Sequence, residues 1–229
     1  MKNSIKALLS KFPLLKKLRR AFKNKSKKTA NFSSKDYWER RYKSGGNSGA
    51  GSYNKFAKFK AEVINNFVES NDIKTIIEFG SGDGNQLKYF NFNNYLGFDV
   101  SENSIRQCDE LFQHDSTKQF KLTRQYSGEK AELTLSLDVI YHLLEDKVFN
   151  EYMKNLFSAS KKYVIIYSSN FNDQNYRSGF HVKHRKFRNW ISMNMPDFKL
   201  LKKIPNKYPY NGNDESSSFA DFYIFQRES

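Results

Sequence analysis

Cysteine is almost absent from this 229-residue chain, in which Cys108 is the only one. A single thiol excludes an internal disulfide framework and a cluster of cysteines around zinc. Long apolar runs are also missing, and a run such as residues 163–167 is too short to cross a bilayer. Aromatic residues, by contrast, make up 16% of the chain, enough to bury a core and to exclude disorder of the whole chain. The length suits one sizeable domain.

Acidic residues are missing from residues 1–28, which contain eleven Lys or Arg. Residues 174–213 contain nine Lys or Arg and one acid, Asp197. These two segments carry more than the whole net charge of +15, so the rest of the chain is slightly acidic. The chain is therefore a mildly acidic body with two basic segments, and each segment needs its own explanation.

The first basic segment has apolar residues at helical spacing. The two groups, separated by Pro13, are Ile5, Leu8, Leu9 and Phe12, then Leu14, Leu15, Leu18 and Phe22. This pattern predicts two short amphipathic helices that lie on an anionic membrane surface. Lysines interrupt every apolar run, which argues against a secretory signal. We therefore expect a basic amphipathic tail and linker over residues 1–35 and one folded domain over residues 36–229.

The apolar pattern of the rest alternates between strands and helices. Helices are predicted at residues 55–70 and 139–158, and strands at residues 75–79, 95–100, 131–136, 163–167, 198–204 and 219–225. Such alternation is typical of an α/β fold with a doubly wound, largely parallel sheet.

The sharpest motif is Glu78-Phe79-Gly80-Ser81-Gly82-Asp83-Gly84, in which a buried strand ends in three alternate glycines and a helix is predicted to begin. A dinucleotide-binding turn would place its third Gly or Ala at position 85, which is Asn85. Glu78, two residues before the first glycine, would repel a pyrophosphate but would attract a ligand with an amino group. A plain tight turn is the alternative interpretation.

This turn resembles the nucleotide-binding turn of class I S-adenosylmethionine-dependent methyltransferases. The resemblance implies a Rossmann-like, seven-stranded, mostly parallel sheet with a C-terminal antiparallel hairpin, and S-adenosyl-L-methionine as cofactor. It further implies that Asp99, after the second strand, bonds the ribose hydroxyls, and that Asp115 takes the adenine amino group. Ser136, in the segment that resembles the family's fourth strand, is a further residue expected to bind the cofactor. Asp99 could instead cap a strand end, and Asp115 could belong to an ordinary turn.

Residues 37–53 are similar to bacterial members of the family that are associated with surface-polysaccharide clusters. The glycine-rich part, residues 45–52, is either a flexible loop or a lid that closes on the cofactor.

Candidate catalytic groups follow the fourth and fifth strands. Asp138 and His142 are four residues apart and would share one face of a helix, and His181 could also act as a base. Lys183, His184 and Arg185 could bind an anionic acceptor. The alternatives are a structural role for His142 and a solvated basic helix start at residues 183–185. His181 and His184 lack further ligands nearby, so no metal site is predicted.

Together these features predict a cytoplasmic methyltransferase that methylates oxygen on an anionic sugar or glycan-linked acceptor near the membrane. The Asn/Asp-Pro-Pro-aromatic motif typical of adenine and cytosine N-methylation is absent after the fourth strand, so nucleic acid is not the favoured partner. An RNA methyltransferase and a catalytically degenerate scaffold with the same fold are the competing hypotheses.

Overall fold

A computed structural model describes residues 32–174 and 179–228. The predicted amphipathic helices of the N-terminal tail lie outside the described residues, and the folded unit begins at Ser34. Within the described ranges, no helix is long and apolar enough to cross a membrane.

The folded unit contains five helices and seven strands in the part that is described. The helices are α1 (Ser34–Lys43), α2 (Asn54–Ser70), α3 (Glu102–Leu111), α4 (Asp146–Ser158) and α5 (Phe187–Asn194). The strands are β1 (Ile76–Phe79), β2 (Tyr95–Asp99), β3 (Lys118–Leu122), β4 (Ala131–Leu137), β5 (Ser160–Ser168), β6 (Phe198–Ile204) and β7 (Asp221–Arg227).

One seven-stranded sheet forms the centre of the unit, with the strand order β3-β2-β1-β4-β5-β7-β6. Strands β1 to β5 are parallel, while β7 runs antiparallel between β5 and β6. The order reverses between β1 and β4, so the carboxyl ends of these two strands form a crevice, where open α/β sheets bind their ligands. The predicted fold class, including the C-terminal hairpin, is confirmed.

Two apolar layers cover the two faces of the sheet. One contains Phe149, Met153 and Phe157 of α4, and the other contains Phe59 and Ile64 of α2. Strand residues alternate between the layers, as the two-residue period of a strand requires. The central strands are therefore buried on both faces, and their carboxyl ends are held in a fixed arrangement.

Two of the predicted helices differ in the structure. The helix predicted for residues 139–158 begins only at Asp146, after a short 3₁₀ turn at Ile140–His142. The cause is the backbone at Leu143 and Glu145, whose ψ values of 84° and 126° lie outside the helical region. After the glycine turn only one 3₁₀ turn forms, at Leu87–Tyr89.

Candidate functional site

The glycine turn follows β1 at the crevice, and its missing side chains let neighbouring residues lie directly against its backbone. Gly80 and Gly82 have φ values of 89° and 61°, in the left-handed region that favours glycine. A Cβ on Gly80 would collide with the Val139 side chain, and one on Gly82 would collide with Ser48. A Cβ on Gly84 would meet Cys108 and Phe112, so the third glycine serves the packing of the turn against α3.

Glu78 is a buried carboxylate immediately below this turn. Its Oε2 accepts a hydrogen bond of 2.6 Å from the Tyr95 hydroxyl. Burial raises the pKa of Glu78 to about 7, opposed by this hydrogen bond and by the Lys60 charge. Near neutral pH the group therefore holds a proton for part of the time, and a positive ligand charge beside it would favour the ionised form.

Asp99 ends β2 and lies against the same turn. Its two carboxylate oxygens accept hydrogen bonds of 3.0 Å from the backbone N–H groups of Gly82 and Ser101. Burial raises the pKa of Asp99 to about 6, and the nearby Asp83 charge also contributes. The crevice thus places several carboxylates around the glycine turn, an arrangement that disfavours anions such as a pyrophosphate.

Residues 45–53, which we call the strap, close over the glycine turn. The Ser48 N–H donates to Asp83 Oδ2 at 2.8 Å, and the Asp83 N–H donates to Ser48 Oγ at 3.0 Å. The Tyr53 hydroxyl donates to the same Asp83 oxygen at 2.8 Å. Of the two interpretations of this glycine-rich segment, the geometry favours the lid, because three hydrogen bonds fasten the strap to the turn.

Weakening this fastening should expose the turn. We expect the double variant Ser48→Ala, Tyr53→Phe to speed hydrogen exchange of the Asp83 amide roughly thirtyfold, since each of the two lost hydrogen bonds costs about 1 kcal/mol. The measurement is amide exchange followed by NMR, with Tyr89→Phe, a partly exposed tyrosine outside the strap, as the control. Unchanged exchange at Asp83 would mean that these hydroxyls do not fasten the strap.

Asp138 follows β4 at the crevice, where it holds two partners. Its Oδ2 forms an ion pair of 2.7 Å with Lys60, and its Oδ1 accepts a hydrogen bond of 2.7 Å from the Tyr141 hydroxyl. The prediction that Asp138 and His142 share a helical face is wrong, because the left-handed Asp138 and the 3₁₀ turn separate them. The partner of Asp138 is a lysine of α2 instead.

His142 and His181 come together, but as a stack. Their rings lie 5.1 Å apart, and Tyr37 stacks on the other face of His181 at 4.8 Å. His142 Nδ1 also contacts the His181 carbonyl oxygen at 3.1 Å. Burial lowers the pKa of His142 to about 3 and lowers the pKa of His181. His142 is therefore a weak base held within a stack of rings, which supports its structural interpretation and weakens its prediction as a general base.

Lys183, His184 and Arg185 do not form the predicted anion pocket. Lys183 and Arg185 both pair with Asp146, at 2.6 and 2.8 Å, and Arg185 also donates to the carbonyl groups before α4. His184 is buried and bonds Ser169 through Nδ1 at 2.7 Å. These ion pairs and hydrogen bonds attach the segment after β5 to the start of α4.

Two cofactor predictions also need correction. Asp115 lies before β3, at the amino edge of the sheet, where it bonds Thr117 and Lys118. An adenine would bind at the carboxyl edge, which is the opposite edge of the sheet, so Asp115 cannot contact it. The Ser136 hydroxyl is buried and accepts a hydrogen bond of 2.7 Å from Tyr152, so its side chain faces α4 and not the crevice.

The sequence did not indicate a role for Lys60, or for Asp83, the residue to which the strap is hydrogen-bonded. Lys60 is completely buried, although lysines on helices usually face water. Its position in the sequence could have indicated this burial, because it lies four residues after Phe56 and four before Ile64, inside the apolar stripe of α2.

Comparisons with known proteins support the fold through structure alone. No protein-family model matches the sequence, and no curated protein matches it. Among solved structures, the N-methyltransferase NodS from Bradyrhizobium japonicum WM9, in complex with S-adenosyl-L-homocysteine, is similar with a TM-score of 0.66 at 13% identity. The match covers 86% of this chain and 100% of that one.

Two further structures are similar at the same level. Magnesium protoporphyrin IX methyltransferase (ChlM) from Synechocystis PCC 6803, with bound SAM, has a TM-score of 0.58 at 14% identity, over 87% of this chain and 99% of its own. The methyltransferase domain of bacterial CtHen1-C has a TM-score of 0.56 at 17% identity, over 75% and 98%. The chain therefore has the fold of the class I S-adenosylmethionine-dependent methyltransferases.

Proposed function

We propose that this chain is an S-adenosylmethionine-dependent methyltransferase. The observation that carries the proposal is the acidic glycine turn: Glu78 and Asp99 are both buried beside this turn in the crevice. Each carboxyl has a raised pKa because burial disfavours its charge. A ligand with positive charge at the sulfur and the amino group would compensate these carboxylates, whereas the pyrophosphate of a dinucleotide would add to their repulsion.

The residues present fit such a ligand. Asp99 ends its strand beside the turn and would accept hydrogen bonds from ribose hydroxyls, while Glu78 would favour the amino end. Bound there, S-adenosylmethionine would supply a methyl group already activated by the positive sulfur. The protein would then contribute positioning and exclusion of water, for which the strap over the turn is suited.

For the acceptor, we propose oxygen on a sugar or glycan-linked molecule near an anionic membrane. The support comes from the sequence: the likeness of residues 37–53 to polysaccharide-associated members and the amphipathic pattern of residues 1–28. The ion pairs of Lys183 and Arg185 with Asp146 remove one argument for an anionic acceptor. Asp138 remains the candidate base at the crevice, since it carries a carboxylate at the end of β4.

Two measurements test the activity. Calorimetry with S-adenosylhomocysteine should give saturable one-to-one binding to the full chain. Radiolabelled S-adenosylmethionine, incubated with the protein and a bacterial cell extract, should label the lipid-glycan fraction. Label in RNA would support the competing RNA hypothesis. If S-adenosylhomocysteine does not bind, the scaffold hypothesis is supported.

The proposed membrane contact makes a separate prediction. Deleting residues 1–28 removes eleven positive charges, each worth about 1 kcal/mol at an anionic surface. We expect the shortened protein to leave vesicles that contain acidic lipids while still binding S-adenosylhomocysteine. Cosedimentation with vesicles measures this, and neutral vesicles are the control. Equal binding of both forms to acidic vesicles would contradict a membrane role for the tail.

A further inference from the structure

The ion pair between Lys60 and Asp138 is unusual in its setting. Lys60 is fully buried, and the 2.7 Å ion pair is a contact between α2 and the residue after β4. Burying an ammonium group costs several kcal/mol unless a partner compensates it. A methionine or leucine would fill the same position in the stripe at lower cost, so the charge itself calls for an explanation.

Asp138 is fixed from several sides. Besides Lys60, the Tyr141 hydroxyl holds its Oδ1 at 2.7 Å, and its backbone N–H donates to the Tyr167 carbonyl at 2.9 Å. Its φ of 61° is a left-handed conformation that a non-glycine residue adopts at some cost. The strap also approaches it, because a Cβ on Gly51 would lie only 2.7 Å from Oδ2.

This carboxylate lies where a transfer reaction needs one. β4 neighbours β1, and the crevice at their carboxyl ends receives the glycine turn on one side and Asp138 on the other. Val139, the next residue, contacts the Gly80 position directly. Asp138 is thus adjacent to the turn but separate from the carboxylates of Glu78 and Asp99 within it.

We propose that Lys60 is a positioning residue for methyl transfer, which holds the Asp138 carboxylate fixed where the donor methyl group and the acceptor meet. This proposal rests on the proposed methyltransferase function. Asp138 would accept the proton of the acceptor hydroxyl as the new O–C bond forms and the S–C bond breaks, with the electron pair of the broken bond remaining on sulfur. The proton then passes to water.

A pair of ligands tests the placement without needing the acceptor. S-adenosylhomocysteine is neutral at sulfur, whereas sinefungin carries an amine-bearing carbon in place of the methylated sulfur. The ratio of their affinities therefore reports a negative charge at the methyl position. Protonation of Glu78 or Asp99 affects both ligands through the parts they share, so it largely cancels in the ratio.

We expect Asp138→Asn to reduce the preference for sinefungin about tenfold in calorimetry at pH 8. For Lys60→Met, we expect the same preference to fall severalfold, because the ion pair that fixes the Asp138 carboxylate is lost. Lys60→Gln, which keeps a hydrogen-bond donor at this position, should lose less of the preference.

Matched variants separate this role from a purely structural one. Lys58→Met removes an exposed lysine from the same helix and should behave as the wild type. Lys60→Gln keeps a hydrogen-bond donor and replaces Lys60→Met if the latter does not fold. A ratio unchanged by Asp138→Asn, or a ratio unchanged by both Lys60 variants, would overturn the proposal. Failure of both ligands to bind the wild type would instead overturn the methyltransferase function on which it rests.

Discussion

Asp99→Asn is expected to weaken S-adenosylhomocysteine binding by about 100-fold, or roughly 3 kcal/mol. The substitution removes the charged acceptor that would bond the ribose hydroxyls. It also turns an amide NH₂ toward a backbone that offers only N–H groups, those of Gly82 and Ser101. The measurement is calorimetry on the full chain at about pH 7.5.

The pH dependence gives this prediction a second readout. Burial raises the pKa of Asp99 to about 6 and that of Glu78 to about 7, so the folded, ligand-free protein holds protons that the unfolded chain has released. Its stability should therefore fall as the pH rises from about 5 to about 7. A cationic ligand favours the ionised carboxylates, so binding of S-adenosylmethionine should strengthen over the same interval and level off above it.

Asp115→Asn is the matched control, because the sequence suggested a cofactor role that the structure removes. Its carboxylate bonds Thr117 at the amino edge of the sheet, so binding should remain within about twofold of the wild type. A large loss in this control together with intact binding in Asp99→Asn would contradict the site at the glycine turn.

Gly80→Ala is expected to be the most damaging single change for folding. Its φ of 89° lies in a region that costs an L-residue roughly 1–2 kcal/mol, and the added methyl would collide with Val139. Together these effects should lower the free energy of unfolding by about 3 kcal/mol. Chemical denaturation followed by circular dichroism measures the change.

Gly128→Ala separates the two causes. Gly128 also has a positive φ, of 106°, but a Cβ there would meet nothing within 4 Å. This variant should show only the backbone cost, about 1 kcal/mol or slightly more. If the two variants lost equal stability, the contact between Gly80 and Val139 would not be a tight one.

The sequence predicted the fold well because local patterns define it. The strands that carry the glycine turn and Asp99 are short apolar runs between polar segments, and β6 was predicted with the bounds that the structure gives. The failures lie where backbone angles override a pattern. The spacing of Asp138 and His142 fits a helix, but Asp138 is left-handed, and the non-helical ψ angles of Leu143 and Glu145 delay α4 until Asp146.

The site was harder to predict because its side chains meet across long sequence distances. Lys60 and Asp138 are 78 residues apart, and Ser48 and Asp83 are 35 apart. No periodicity within one element reports such a contact. Charged residues were also expected to act on ligands, whereas Arg185 and Asp146 bind each other, and only the structure distinguishes the two uses.

The position of β7 affects how the chain can be built on the ribosome. This strand follows every other in the sequence, yet it lies between β5 and β6 and pairs with both. Until residues 221–227 have left the exit tunnel, β5 has an open edge and β6 has no partner. Such edges can pair with other nascent chains. Completion of the sheet therefore waits for the last strand to be made, and a stop codon before residue 221 should yield an aggregating product even though the whole glycine turn has been made.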